Sequence, residues 1–339
     1  MEKTRLGKTN LMVSRTAFGA IPMQRVSDGE ASTILRLAYD GGVNYYDTAR
    51  AYTTSERRIG KYLADVRGNI IIATKTAATN ADEFEIDLAA SLSELGGDSY
   101  IDIYQFHNTP FVPRPGAPDG LYDAALRAKA EGKIRHIGIT SHSLSLAKEE
   151  AKSGLFETMQ FPFSLLATDD EIGLVELCRK HDVGFIAMKA MAGGLITNAK
   201  PAFAFLRQFE NVVPIWGVQR ISELEEFLLY EEAPPELNDE MLAAINRDRE
   251  QLSGGFCRGC GYCMPCPAEI QIDLAARMRL LLGRTNWSWL VNEQTQKMMR
   301  RINNCTGCNH CIDHCPYSLD TPALLRENLD YYEKFIQEH

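Results

Sequence analysis

The sequence predicts an α/β protein in which a (β/α)8 barrel, the TIM-barrel fold, is followed by a small, mostly helical module. Two observations carry this prediction. Strand-like runs alternate with longer amphipathic segments up to about residue 230, and eight of the nine cysteines fall between Cys257 and Cys315. With 339 residues the chain is long enough for one large domain and one small domain.

Eight short runs are predicted as strands, and several are apolar throughout, as in a parallel sheet that is buried on both faces. They are Thr16–Ala20, Val43–Asp47, Ile70–Lys75, Ile101–His107, Ile134–Thr140, Thr158–Phe163, Gly184–Lys189 and Val212–Gly217. Eight β-then-α units in about 220 residues fit a closed barrel. The alternative is an open doubly wound sheet, but its usual G-x-G-x-x-G turn does not occur in this sequence.

Helical periodicity connects these strands and continues beyond them. The predicted helices are Glu30–Asp40, Ser55–Asp65, Glu83–Leu95, Leu121–Glu131, Leu146–Ser153, Ile172–His181, Ser222–Tyr230 and Asn238–Glu250. Before the first unit, Thr4–Ser14 is predicted as a hairpin that closes the base of the barrel. We divide the chain into a barrel over residues 1–232, a linker and helix over 233–255, and a cysteine-rich domain over 256–339.

Composition argues against several classes of function. The net charge of −9 disfavours a nucleic-acid-binding surface, which is normally basic. No apolar stretch approaches the roughly 18–20 residues that span a membrane, and no apolar segment of a signal peptide follows the charged N-terminus. We therefore expect a cytoplasmic protein with no nucleic-acid or membrane partner.

The eight C-terminal cysteines form two runs, each ending in Cys-Pro. Disulfide frameworks are typical of small secreted domains, whereas a large cytoplasmic chain keeps its thiols reduced, so metal binding is the better explanation. The second run matches the bacterial ferredoxin motif C-x2-C-x2-C-x3-C-P. The predicted metal ligands are Cys257, Cys260, Cys263, Cys266, Cys305, Cys308, Cys311 and Cys315.

These spacings predict a ferredoxin-like domain with two 4Fe–4S clusters, because three thiolates from one loop and a fourth from the other run can converge on each cube. One set is Cys257, Cys260 and Cys263 with Cys315; the other is Cys305, Cys308 and Cys311 with Cys266. The first run is one residue short before Cys266, which calls for a tighter turn at Met264–Pro265. Four-cysteine zinc sites are the alternative. The remaining cysteine, Cys178, is predicted to be buried and inert.

Polar residues stand at the ends of three successive predicted strands, where barrel enzymes place their catalytic groups. They are Asp47, Tyr52, Lys75 and His107. Each alone has an ordinary explanation, such as helix capping or packing. Four chemically complementary side chains at neighbouring strand ends predict an active site.

The sequence around these residues resembles the aldo/keto reductase family. Residues 47–56 read D-T-A-R-A-Y-T-T-S-E, similar to the family signature D-T-A-x-x-Y-x-x-S-E. The runs A-T-K-T at 73–76, Q-F-H at 105–107 and G-K-I-R-x-I-G at 132–138 follow in the family's order. The resemblance covers residues 4–230, and with the cysteines the chain is similar to the iron–sulfur-fused branch of that family.

The resemblance implies a role for each residue of this tetrad. Tyr52 would be the general acid that protonates a carbonyl oxygen, or the base in the reverse direction. Because a free phenol has a pKa of about 10, the neighbouring Lys75 ammonium is needed to stabilise the phenolate. Asp47 would hold Lys75, and His107 would donate a hydrogen bond to the carbonyl.

The family binds a nicotinamide nucleotide, NADPH or NADH, across the later strand ends. The positions that match its contacts are Thr140, Ser141, Gln160, Lys189, Gly193, Gly194 and Arg220. Of these, Thr140, Ser141 and Gln160 correspond to carboxamide contacts, and the two glycines to pyrophosphate contacts. Lys189 stands where many members stack an aromatic ring. Only Arg220 is basic near the eighth strand, beside Glu223, so the choice between NADH and NADPH stays open.

The sequence therefore predicts an NAD(P)H-dependent oxidoreductase that reduces a carbonyl or oxidises an alcohol of a small-molecule substrate. Its clusters are structural or transfer electrons, in the second case with a redox protein as partner. The alternative function is a non-enzymatic nucleotide-sensing or electron-transfer subunit that docks to a redox complex. The loop Asn108–Gly120 is expected to overhang the active site, with Arg114 either an anchor for an anionic substrate or a plain surface residue.

Overall fold

The computed structural model describes residues 1–97, 100–252, 255–284 and 287–338. The chain forms two compact units. One contains Met1–Ala190 and Lys200–Leu242, and the other contains Met191–Ala199 and Ala243–His339. The segment 191–199, inside the predicted barrel domain, thus packs with the second unit. The division at residues 232 and 255 stays a prediction.

Within the described part of the first unit, eight parallel strands close into a barrel in the order β10-β3-β4-β5-β6-β7-β8-β9. They are β3 (Ala17–Gly19), β4 (Tyr45–Asp47), β5 (Ile71–Thr76), β6 (Ile101–His107), β7 (Ile134–Thr140), β8 (Thr158–Pro162), β9 (Gly184–Met188) and β10 (Val212–Gly217). Each overlaps one of the predicted runs. The (β/α)8 fold class is confirmed.

The N-terminal hairpin closes one end of this barrel. Strands β1 (Lys3–Arg5) and β2 (Met12–Ser14) pair antiparallel. The turn between them inserts Leu6 into the barrel core, where it is fully buried. A Cβ atom on Gly184, the first residue of β9, would lie 2.6 Å from Cγ of Leu6. Glycine is therefore required at this position, because no side chain fits between β9 and the hairpin.

Helices follow the barrel strands. They are α1 (Asp28–Asp40), α2 (Ser55–Tyr62), α3 (Ala81–Leu95), α4 (Leu121–Ala130), α5 (Leu144–Lys152), α6 (Asp169–Lys180), α7 (Ala199–Arg207) and α8 (Ile221–Glu232). Helix α1 begins with a capping box in which Ser27 and Glu30 satisfy each other's backbone amides. Helix α7 is not among the predicted helices. The other seven overlap predicted segments.

The regular secondary structure in the rest of the described chain is helical, as predicted for the C-terminal module. It contains α9 (Asp239–Gln251), α10 (Ile272–Ala275), α11 (Met278–Arg284), α12 (Glu293–Arg300), α13 (His310–Asp313) and α14 (Thr321–Glu338). Helix α14, which buries Leu325, Leu329 and Tyr332, was not predicted. Among the described residues, no helix is both long enough and apolar enough to cross a membrane.

Candidate active site

A buried ion pair lies at the centre of the predicted tetrad. Nζ of Lys75, on β5, is 2.6 Å from Oδ1 of Asp47 at the end of β4, and it donates a second bond of 2.6 Å to the carbonyl of Thr48. The two side chains are only 1% and 3% exposed. Burial lowers the pKa of Lys75 and raises the pKa of Asp47, and their mutual attraction opposes both changes.

Tyr52 and His107 complete the group. Tyr52 lies in the loop between β4 and α2, where its amide bonds to the Ala49 carbonyl at 2.9 Å. The centre of its ring is 5.3 Å from Nζ of Lys75 and 6.1 Å from the centre of the His107 ring, which it meets edge-on. The fold thus brings all four predicted catalytic residues together at the carboxyl ends of β4, β5 and β6.

His107 is the last residue of β6, and it is neutral at ordinary pH. Burial and the positive charge of Lys75 lower the pKa of His107 to about 3. A neutral imidazole carries one N–H, so His107 is able to donate a single hydrogen bond without bringing a second positive charge next to Lys75.

Two buried glutamines hold the Asp47 carboxylate from its other side. Nε2 of Gln105 is 3.4 Å from Oδ2 of Asp47 and 3.1 Å from Oε1 of Gln160. Gln160 in turn lies 3.5 Å from Oδ1 of Asp47. Sequence reasoning assigned Gln105 no role and missed this network. The only signal was its place in the motif Q-F-H, two residues before His107 and therefore on the same face of β6.

The predicted nicotinamide contacts lie on the next strands. Thr140 ends β7, paired in register with His107 on one side and Gln160 on the other. Within the described residues its buried Oγ1 has no hydrogen-bond partner. Leaving a buried hydroxyl unpaired is costly, so Thr140 fits a site that a ligand's amide completes. Ser141 follows directly, and its hydroxyl donates to the Ser143 carbonyl at 3.2 Å.

A second buried histidine was missed by the sequence analysis. His142 is 5% exposed, and its amide donates to Oδ1 of Asn108 at 3.0 Å. Burial lowers its pKa well below the ordinary value, and the charge of Lys189 and the neighbouring His107 act in the same direction. Lys189, which follows β9 with a positive φ of 57°, is therefore close to this histidine pair.

The remaining predicted nucleotide residues lie in two other places. Arg220 caps α8 on the surface, with Nη1 3.4 Å from Oε1 of Glu223. Gly193 and Gly194 lie in a turn, Ala192–Gly194, with φ angles of 67° and 91°. Arg114, in the loop that follows β6, pairs on the surface with Glu149 at 2.8 Å, as a plain surface arginine does.

The cysteines of the second unit fall into two neighbourhoods. Burial raises the pKa of Cys263 to about 12, and the nearby thiols of Cys257 and Cys260 add to the rise. Burial likewise raises the pKa of Cys311, with Cys305, Cys308 and Cys266 as its thiol neighbours. A cavity is lined by Cys263, Cys266, Cys305, Cys308 and Cys311. Cys266 thus approaches the second run, which fits the prediction that it is a ligand of the second cluster.

Cys315, the predicted fourth ligand of the first set, lies in a segment next to the first cysteine run. The guanidinium of Arg258 lies 5.6 Å from the centre of the Tyr317 ring, and a Cβ atom on Gly255 would lie 3.2 Å from Leu319. The chain around Cys315 is therefore packed beside the chain around Cys257. The Met264–Pro265 peptide, where a tight turn was predicted, is cis, and Met264 closes a turn onto the Gly261 carbonyl at 2.9 Å.

In the described part of the chain, no group of three histidine, cysteine or acidic side chains is arranged to hold a metal ion. Thiolates at these spacings are ligands both of four-cysteine zinc sites and of 4Fe–4S clusters.

Comparisons with known proteins find similarity in two parts of the chain. Residues 16–203 match the aldo/keto reductase family, and residues 256–320 match the 4Fe–4S dicluster domain. The oxidoreductase YqkF of Bacillus subtilis is 30% identical over 58% of this chain and 67% of its own length. L-Galactose dehydrogenase of Arabidopsis thaliana is 28% identical, covering 59% and 69%. The NADH-specific methylglyoxal reductase of Escherichia coli is 29% identical, covering 58% and 70%.

Solved structures share the barrel. The holo form of the aldo-keto reductase AKR11C1 from Bacillus halodurans superposes with a TM-score of 0.64 at 23% identity, over 73% of this chain and 96% of that one. This likeness shows the fold, and the sequence match extends over more than half of the chain. The chain belongs to the aldo/keto reductase family and carries a 4Fe–4S dicluster domain C-terminal to its barrel.

Proposed function

We propose that this protein is an NAD(P)H-dependent oxidoreductase that reduces a small carbonyl compound or oxidises the corresponding alcohol. One observation carries the proposal: the buried Lys75–Asp47 pair lies beside the ring of Tyr52, and neutral His107 meets that ring edge-on. This arrangement provides a proton donor, a charge that stabilises its conjugate base, and a hydrogen-bond donor for a carbonyl.

A bound nicotinamide nucleotide supplies a hydride to the carbonyl carbon. The protein manages the proton: Tyr52 donates its phenolic proton to the carbonyl oxygen, and the Lys75 ammonium stabilises the phenolate that remains. Asp47 keeps Lys75 in place and charged. His107 donates a hydrogen bond that orients the carbonyl and stabilises negative charge on its oxygen. In alcohol oxidation the same groups act in reverse.

The nucleotide would be held by the residues that the family resemblance implies. The unpaired hydroxyl of Thr140 supports a role for Thr140, Ser141 and Gln160 toward the carboxamide. Gly193 would offer its amide to the pyrophosphate, from a turn that the Gly194 amide closes by donating to the Met191 carbonyl at 2.9 Å, and Lys189 would face the nicotinamide. At the adenosine end, the exposed Arg220 is shared with Glu223, which favours NADH over NADPH. The NADH specificity of the Escherichia coli relative is consistent with this.

We propose two 4Fe–4S clusters in the C-terminal domain, one held by Cys257, Cys260, Cys263 and Cys315 and the other by Cys305, Cys308, Cys311 and Cys266. Such clusters exchange one electron at a time, so a role in electron transfer would involve a redox protein as partner. A structural role needs none. Because the thiols must stay reduced to bind iron, we also propose a cytoplasmic location.

The names of two relatives suggest where to look for the substrate. One acts on methylglyoxal, a small dicarbonyl, and another on L-galactose, a sugar. We therefore propose small aldehydes, ketones and sugars as the first compounds to test. The alternative, a nucleotide-sensing or electron-transfer subunit without catalysis, is supported by no specific contact among the described residues. The assembled tetrad weighs against it.

The test compares Tyr52→Phe with Tyr230→Phe, a half-buried control on α8 whose hydroxyl donates to Glu226 at 2.6 Å. Both variants are purified anaerobically, with iron and sulfide quantified. With a carbonyl substrate found by screening, Tyr52→Phe should lose at least about 100-fold in kcat and keep its affinity for nucleotide. Tyr230→Phe should match the wild type. Turnover by Tyr52→Phe at the wild-type rate would overturn the proposal.

A further inference from the structure

The turn that carries Gly193 and Gly194 packs inside the iron–sulfur unit. In the chain it follows β9, a barrel strand, and precedes α7. Two arginines donate hydrogen bonds to carbonyl groups in this segment. Arg277 lies between α10 and α11, and Arg284 is the last residue of α11. Nη1 of Arg277 donates to the Gly193 carbonyl at 2.9 Å, and Nε of Arg284 donates to the Leu195 carbonyl at 2.7 Å. Arg284 is itself fixed by an ion pair with Asp248.

Arg277 also contacts the first cysteine loop. A Cβ atom on Gly259, between Cys257 and Cys260, would lie 2.9 Å from Cζ of Arg277, and one on Gly193 would lie 3.0 Å from Nη1. The guanidinium therefore fills the space beside two glycines, both with positive φ, at 60° and 67°. A side chain at either position would collide with it. The Gly259 amide lies 3.4 Å from Sγ of Cys257, so the guanidinium charge is near this sulfur.

The rest of the side chain is fixed as well. Nε of Arg277 donates to the carbonyl of Asp273, one helical turn earlier, at 2.9 Å. A planar guanidinium with several donors is able to bind Asp273 and Gly193 at once and keep its charge, whereas a lysine ammonium offers one point of attachment.

We infer that Arg277 is a positioning residue that joins the predicted pyrophosphate-binding turn to the loop of the first cluster. Holding the Gly193 carbonyl fixes the turn, which the Gly194 amide closes by donating to the Met191 carbonyl at 2.9 Å, and so fixes the Gly193 amide that would face the pyrophosphate. The same guanidinium places a positive charge beside the Cys257 sulfur. This inference rests on the proposed function for the role of the turn. It adds that one side chain of this unit contacts both the turn and the loop of the first cluster.

The experiment uses the holoenzyme and two variants two residues apart. Arg277→Gln removes the positive charge and the N–H donors of the guanidinium. Arg279→Gln is the matched control, since that guanidinium lies over the Tyr331 ring at 5.3 Å. Iron and sulfide are quantified first. Dissociation constants for NADH and NADPH are then measured by fluorescence, and the cluster reduction potentials by a dithionite titration that delivers one electron to each cluster.

Arg277→Gln should bind both nucleotides about tenfold more weakly, as expected for a lost charge-assisted hydrogen bond. It should also lower the reduction potential of one cluster and leave the other unchanged, because an added electron loses a nearby positive charge. In the absence of nucleotide, hydrogen exchange at residues 191–199 should be faster in Arg277→Gln than in the wild type. Arg279→Gln should show none of these changes.

Wild-type nucleotide affinity, or two unchanged potentials, in a fully loaded Arg277→Gln variant would overturn the inference. If that variant loads less iron, Arg277→Lys supplies the comparison, because it keeps the charge beside Cys257. It should then bind nucleotide more weakly with both potentials unchanged, and wild-type affinity would overturn the inference. A wild-type protein that binds no nucleotide at all would instead contradict the proposed function.

Discussion

The ammonium of Lys75 lies 2.6 Å from the carboxylate of Asp47, and both groups are removed from solvent. Neither charge is tolerable there alone, because removing one partner of a buried pair leaves the other without compensation. The pair therefore links the stability of the barrel to its chemistry. We therefore expect a substitution of either residue to change both the free energy of unfolding and the catalytic rate.

Asp47→Asn should weaken both properties. The Lys75 ammonium would keep only neutral partners, so its pKa should fall further and its support of the Tyr52 phenolate should diminish. We expect a loss of about 100-fold in kcat and about 3 kcal/mol in the free energy of unfolding of the barrel. Steady-state kinetics and denaturant unfolding followed by circular dichroism measure the two effects. The control is Asp65→Asn, in an exposed pair with Arg36; equal behaviour of the two variants would refute the role of Asp47.

His107 should stay neutral throughout the range in which the enzyme is handled. Its pKa of about 3 means that the ring takes up no second proton between pH 5 and 8 and stays neutral. We expect the ring nitrogens to show no titration in this interval by NMR, and the pH profile of kcat/KM to have no limb from this residue. His181, exposed at the end of α6, serves as the reference histidine. A His107 titration near the ordinary value of about 6.5 would contradict the expectation.

Cys266→Ser should remove one cluster and keep the other, since Cys266 lies with Cys305, Cys308 and Cys311. We expect the iron content to fall from about eight to about four atoms per chain. Cys178→Ala is the control, because this buried thiol lies in α6 of the barrel unit. Iron and sulfide analysis after anaerobic purification gives the result. Full iron content in Cys266→Ser would refute the ligand assignment.

Glu223→Gln should shift the nucleotide preference. In the wild type the carboxylate neutralises Arg220 at 3.4 Å and would repel the 2′-phosphate of NADPH. Removing its charge should tighten NADPH binding about two- to fivefold with little effect on NADH, because a solvent-exposed charge contributes about 1 kcal/mol or less. Dissociation constants for both nucleotides measure this. Glu226→Gln, on the same helix, is the control; an unchanged ratio would place the adenosine end elsewhere.

Glu150 should make the barrel less stable as the pH rises. Burial raises the pKa of this α5 carboxyl to about 8, although the Ser141 hydroxyl opposes the rise. Between about pH 4.3 and about pH 8 the folded form holds a proton that the unfolded form releases, so stability falls by up to about 1.4 kcal/mol per pH unit. Glu150→Gln removes this cost and should be relatively more stable at higher pH.

Thermal unfolding of the wild type and Glu150→Gln, measured by near-ultraviolet circular dichroism at about pH 6 and about pH 8, tests the sign of this effect. The advantage of the variant should grow with pH. Glu176→Gln, on α6 in an exposed pair with Arg179, should show no such trend. An advantage of Glu150→Gln that is constant or shrinks with pH would refute the shift.

The sequence alone determined the features that are local in the chain. The apolar runs and their spacing predicted all eight barrel strands, because a strand buried on both faces needs such a run wherever it lies. The cysteine spacings predicted the dicluster domain, and the strand-end positions of Asp47, Lys75 and His107 predicted the tetrad, because parallel strands share one carboxyl edge. Helix α7, which lies directly after the turn that packs with the second unit, was missed.

Only the tertiary structure decided which distant residues meet. Gln105 and Gln160 contact Asp47 although they are 58 and 113 residues away in the chain. Contacts over such separations do not show in the periodicity of a sequence. The segment 191–199 packs with the iron–sulfur unit although the sequence places it between β9 and α7 of the barrel. Arg277 meets Gly193 across 84 residues. The physical reason is the same each time. A hydrogen bond depends on where folded backbones bring two groups, whereas periodicity and motif spacing record only neighbours along the chain.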